Sequence, residues 1–135
     1  MIDILTACMA RAKTIAALNE NVFFGYVESQ TEYPYCQITQ GVTDEPLYTS
    51  GNNTANDNVN IDFAVIGKGA LEILEIQKSL SKSLTETPLE LDSDTIGGFY
   101  ISTPNLRQME KRDEQGSILY YCILTVNFYI SRNLI

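Results

Sequence analysis

The sequence contains no histidine and no tryptophan. Without histidine the chain lacks the commonest general base, the commonest metal ligand and the usual switch near neutral pH. Cysteine is scarce: Cys8, Cys36 and Cys122 stand far apart, with no CxxC pair. A zinc site would therefore need an unusual ligand set. Each cysteine lies in an apolar segment and reads as a small buried hydrophobe, which places synthesis in a reducing cytosol. Basic residues are also few, nine against 17 acids for a net charge of −8. That balance opposes nonspecific binding to a phosphate backbone. No apolar run approaches the roughly 18–20 residues of a membrane span. The opening stretch MIDILTACMARAKTIAAL carries Asp3 ahead of its bases and does not read as a secretory signal. The expectation is a soluble protein.

What is there suits one packed core. Of the 135 residues, 44% are hydrophobic and 19% charged, too apolar and too charge-poor for a disordered chain. The length predicts a single domain over residues 1–135, without internal repeat or low-complexity tract.

Leu5, Cys8, Met9, Ala12, Ile15 and Ala16 recur at steps of three and four, predicting an amphipathic helix over 2–19 that Asn19 closes. Val22 to Ser29 reads as a strand from its aromatic and β-branched content. Tyr33 to Gln40 reads as a second strand, with Pro34 at its start because proline cannot donate to a ladder. Gly41 to Asn58 is polar and rich in turn formers, and it reads as an extended loop. Its Asn52-Asn53-Thr54 matches a glycosylation sequon that a cytosolic chain would not use. Val59 to Ile66 alternates cleanly between apolar and polar, the mark of a half-buried strand. After Gly67-Lys68-Gly69, a stripe of Ile73, Ile76, Leu80 and Leu84 predicts a second helix over 70–85, stopped by Pro88. Glu90 to Gly98 reads as an acidic connector, Phe99 to Thr103 as a short strand and the charged 105–116 as a hairpin tip. Ser117 to Ser131 reads as a long strand, with one continuous apolar face from Ile118 to Ile130. Its other face is apolar only over the first half, so cover on both sides is expected there. The predicted fold is α+β, a mainly antiparallel sheet of about five strands packed by two helices in the order α-β-β-β-α-β-β.

Candidate chemistry is thin. Gly67-Lys68-Gly69 sits between a strand and a helix, as in a dinucleotide site, but Glu72 occupies the third glycine position and would repel a pyrophosphate. Glu90, Asp92 and Asp94 lack the frame of a calcium loop and read as a solvated connector. Serine and cysteine nucleophiles have no histidine to activate them, and no SxxK offers a lysine route. Nothing here builds an active site, and no cofactor or metal is implied. Arg107, Glu110, Lys111, Arg112, Asp113 and Glu114 mix both signs, which suits a protein partner better than a nucleic acid.

With these elements in order, residues 1–131 resemble the tail terminator, or tail completion, proteins of long-tailed phages. The likeness rests on an N-terminal helix, the YPYCQI strand start, a polar loop, the strand and helix NIDFAVIGKGALEILEIQKSLSKSL, and two closing strands. The resemblance implies a structural, non-enzymatic virion protein forming a hexameric ring at the head-proximal end of the tail. The ring would stop tube polymerisation and meet a tail tube protein on one side and a head connector or stopper protein on the other. DNA would pass through its lumen without specific binding, no membrane would be involved, and assembly would occur in the host cytoplasm. A closed ring needs two different patches on each subunit. Candidates are Tyr48, Asn52, Asn53 and Asp57 of the long loop, and Arg107, Lys111, Arg112, Asp113 and Glu114 of the charged hairpin. A stopper, adaptor or tube subunit is the nearest alternative, and a small ligand-binding α+β module a more distant one.

Overall fold

The structure is a computed structural model that describes residues 2–25, 32–40, 47–48, 54–91, 94–108 and 116–133. At 2–3, 47–48, 54–58, 94–98 and 131–133 it describes the main chain alone.

Two helices lie against one face of a mainly antiparallel sheet, the α+β arrangement expected. Helix α1 covers Ile2–Lys13 and ends earlier than the apolar spacing implies. There Thr14 N and Ile15 N donate three residues back, to Arg11 O and Ala12 O. The Thr14 hydroxyl also donates to Arg11 O at 2.6 Å, so a β-branched pair tightens the chain out of the α-helix. A 3-10 turn follows at Ala16–Leu18, closed by Asn19 in the left-handed region. Strand β1 is Val22–Phe24, and the rest of the strand read from the sequence, at 26–29, lies outside the described residues. Strand β2, Tyr35–Gln40, begins directly after Pro34, which follows a cis peptide bond.

The segment read as a loop is partly sheet. Strand β3, Leu47–Tyr48, pairs with the first residues of β4, which runs Thr54–Gly67. Asn- and Asp-rich sequence is a poor strand former alone. Thr54 to Asn58 are nevertheless held in register by Asn133 to Tyr129 of β7, Tyr120–Asn133. Helix α2 spans Ala70–Glu86. Strand β5, Asp94–Ile101, starts inside the expected acidic connector, with a register shift between Ile96 and Gly98. Strand β6, Asn105–Gln108, occupies the start of the expected hairpin tip. Among the described residues the sheet thus has seven strands, two short ones beyond the five expected, in the order β1-β2-β4-β7-β5, with β3 on β4 and β6 on β7. Among the described strands, only β1 and β2 pair in parallel.

Strands β4 and β7 pair along 14 residues each, an extended length of about 46 Å. Helix α2, with 17 residues, spans only about 25 Å. The core fills the helix side: Cys36 and Ile38, Val59 to Val65 at alternate positions, and Cys122 to Ile130 at alternate positions meet Ile73, Ile76, Leu80 and Leu84. From α1 come Ile4, Cys8 and Ala12. Burial of such side chains contributes about 1.5–3 kcal/mol each.

Candidate interaction surface

Alternation along the central strands fixes what the other sheet face carries. If Val59, Ile61, Phe63 and Val65 point to the helices, Asn60, Asp62, Ala64 and Ile66 point away. The register then assembles cross-strand rows on the helix-free face. Tyr35, Ile66, Tyr121 and Arg107 form one row, and Gln37, Ala64, Ile123 and Asn105 the next. Thr39, Asp62 and Thr125 follow, then Asn60, Asn127 and Tyr100.

The face is tied together by its own polar groups. Thr125 Oγ1 donates to Asp62 Oδ1 at 2.7 Å, and Asn127 Nδ2 donates to Asn60 Oδ1 at 2.5 Å. Thr125 N also donates to Ser102 Oγ at 3.2 Å, while Ser102 N donates back to Thr125 O at 3.0 Å. Such directly opposed pairs stabilise a sheet. Toward Gly67 the face becomes aromatic. The Tyr35 ring meets Phe23 edge-on at 6.2 Å and Tyr33 at 5.6 Å, and Lys68 Nζ lies 5.6 Å from the Tyr33 centroid. Burial, then the neighbouring Tyr33, pushes the Tyr35 phenol above its ordinary pKa. Ile66 and Leu119 are buried here apart from the main core. The expected cover on both sides of the last strand ends early, because Ile123 is already 38% exposed. Ile118 is exposed as well and Leu119 buried, since the strand starts only at Tyr120.

Large apolar groups are exposed on both sides of the protein. On the sheet side these are Tyr100 (70%) and Tyr129 (53%); on α2 they are Leu71 (71%) and Leu74 (36%). Within the cross-strand rows Asp62 and Arg107 are the charged side chains, and Lys68 adds a base at the aromatic end. An open cleft of about 410 Å³ lies between 14–17 and α2, lined by Ile15, Ile76, Glu72 and Glu75 among others.

The glycine turn has a packing explanation. A Cβ on Gly67 would sit 2.9 Å from Ile73 Cγ2 and 3.3 Å from Pro34 Cβ, so glycine is needed for the close approach of strand, helix and turn. All three cysteines are buried free thiols. Burial pushes the Cys8 and Cys36 thiols up to about 12, and raises Cys122 as well. Among the described residues no cluster of three or more Cys, Asp or Glu could hold a metal ion, and no helix is long and apolar enough to cross a membrane.

Of the interface residues expected from sequence, Arg107 is placed by β6 beside Tyr121 on the helix-free face and is exposed. Tyr48 lies in β3 opposite Ala55, and Asp57 in β4 opposite Ile130, by their main chains alone. Asn52, Asn53, Lys111, Arg112, Asp113 and Glu114 lie outside the described residues, as does Asp92. The sequence reading missed Tyr100, Tyr129, Leu71 and Leu74. The signal was available for Leu71 and Leu74, which break the polar side of an otherwise amphipathic helix.

No known family matches the chain, and no curated protein matches it. Among solved structures, the fold is similar to that of a chain in the virion of a native gene transfer agent particle, at a TM-score of 0.69. That likeness covers 94% of each chain at 17% sequence identity.

Proposed function

We propose that this chain is a structural virion protein, a tail terminator that closes into a hexameric ring, ends the tail tube and joins it to the head connector. One observation carries the reading: end-to-end likeness of fold to a chain of an assembled virion, over 94% of both partners. The element order supports it as the resemblance to tail terminators does, and the absence of histidine supports a structural rather than a catalytic role. The net charge of −8 suits a lumen that lets DNA pass without gripping its phosphates. Tyr48, Asn52, Asn53 and Asp57, with Arg107, Lys111, Arg112, Asp113 and Glu114, are the proposed contacts with neighbouring subunits of the ring or with the partner proteins.

The test is to add the purified chain to polymerising tail tube subunits of its own particle. A terminator arrests growth at one end and yields short capped tubes. Incorporation along the tube wall favours the runner-up, a tube subunit, for which the long β4–β7 pair is the specific argument. Binding to the connector alone favours a stopper or adaptor.

A further inference from the structure

We infer that copies of this chain join edge to edge, the outer edge of β5 in one subunit pairing antiparallel with the outer edge of β1 in the next. The inference rests on the ring reading and supplies its subunit contact. Among the described residues β1 and β5 end the sheet on opposite sides. An open edge strand presents unpaired N–H and C=O groups, and another strand is the partner that matches them along its length. Native edges are commonly guarded by charge or proline. Val22-Phe23-Phe24 and Phe99-Tyr100-Ile101 carry neither, and the register shift of β5 lies before Phe99.

The hydrogen bonds fix which groups face outward. Ser102 N donates to Thr125 O at 3.0 Å, one step past the Ile101–Val126 pair. Alternation along an antiparallel ladder then turns Tyr100 toward β7, and turns the N–H and C=O of Phe99 and Ile101 outward. On the other edge, Cys36 N donates to Asn21 O at 2.9 Å and Gly25 N to Ile38 O at 3.1 Å. Phe23 therefore turns toward β2, and Phe24 turns its N–H and C=O outward. The Val22 carbonyl points outward too, while Val22 N donates to Glu20 O at 2.8 Å.

Face and direction agree with this phase. Val22 lies in the core, and Phe99 and Ile101 pack against that core. Phe24 shares Val22's side of the sheet by alternation. Strand β1 runs parallel to β2, while β2–β4, β4–β7 and β7–β5 are antiparallel, so β1 runs opposite to β5. A second copy set alongside, helices on the same side, thus brings Phe24 opposite Phe99 and Val22 opposite Ile101. Phe99 and Phe24 exchange N–H···O bonds in both directions, and Ile101 N donates to Val22 O. An arbitrary strand need not meet these conditions; the chain's own far edge meets all of them, which selects a second copy. The contact joins two different edges head to tail, as a ring requires.

In this register Phe23 of one copy faces Tyr100 of the next. Such a pair, between hydrogen-bonded neighbours, has its Cα atoms about 4.5 Å apart, within disulfide reach. Phe23→Cys/Tyr100→Cys, oxidised with copper-phenanthroline, is expected to form a ladder of covalent oligomers, while wild type and each single variant stay uncrosslinked. A covalent dimer from Tyr100→Cys alone overturns the inference, since two β5 edges must then meet. Phe24→Pro removes an outward N–H and no bond to β2, and its side chain is half exposed. With unchanged circular dichroism, it is expected to lose the wild-type oligomer by native mass; retention of that oligomer overturns the inference. If Phe24→Pro does not fold, the crosslink decides. A wild-type ring whose double variant gives no ladder overturns this contact and leaves the ring reading in place. A wild-type chain that is monomeric at every concentration removes both.

Discussion

Gln77 lies on the buried stripe of α2 and donates from Nε2 to the main-chain carbonyl of Phe63 at 2.7 Å. The same nitrogen donates to Cys122 O at 2.6 Å, so one amide ties the helix to both central strands. Its side chain has no exposure, and Oε1 has no partner among the described residues. Gln77→Leu removes both donors and is expected to cost about 1–3 kcal/mol. Gln77→Glu is expected to cost more, about 3–5 kcal/mol at pH 7, by burying an uncompensated charge. Burial raises a carboxyl pKa, so the Glu variant's penalty shrinks as pH falls toward the unfolded value and grows above it. Urea midpoints at pH 4 and pH 7 check both statements.

Gly67→Ala tests whether the glycine turn serves packing. The added methyl meets Ile73 Cγ2 at 2.9 Å, and overpacking of this kind costs about 1–3 kcal/mol. The urea midpoint is expected to fall at unchanged slope. Addition of nucleotides should leave the melting temperature of both wild type and variant unmoved.

The thiols set an alkaline limit on stability. Cys8 and Cys36 are held neutral in the fold up to about pH 12, whereas their ordinary value is 9.0. Their folded pKa is raised, so this contribution is complete below the unfolded value and is lost as pH rises from there toward 12. Each thiol steepens the loss by about 1.4 kcal/mol per pH unit across that window. Unfolding free energies measured from pH 8 to 11 check the slope. A thiol reagent at pH 8 is expected to label none of the three cysteines before unfolding.

Arg112→Glu reverses one charge in the mixed-sign segment proposed to meet a neighbouring subunit or a partner protein. It is expected to slow joining on the order of tenfold, with the deficit shrinking at high salt. Stopped-flow light scattering at two ionic strengths measures this. Unchanged joining removes the segment from the proposed contact.

The fold class was legible because it rests on periodicity. The Ile73, Ile76, Leu80, Leu84 stripe and the alternation of Val59 to Val65 each commit one face to the core, and all these side chains are buried. Thr54 to Asn58 and Asn105 to Gln108 were not legible as strands. Nothing local favours sheet there; pairing with β7 does, and such pairing joins residues far apart in the chain. Gln77 was hidden for a related reason, since a polar residue on an apolar stripe reveals its two carbonyl partners only once helix and sheet are docked. The interaction surface emerged from register alone. Ile123, Tyr100 and Arg107 come from three strands, and no spacing in the sequence brings them together.

The most direct measurement of the central claim is the mass and shape of the purified chain, by native mass spectrometry with negative-stain imaging. The account predicts a single closed ring of six copies that does not grow with concentration. A chain that elongates into open tubes, or one that remains monomeric at high concentration, would contradict it.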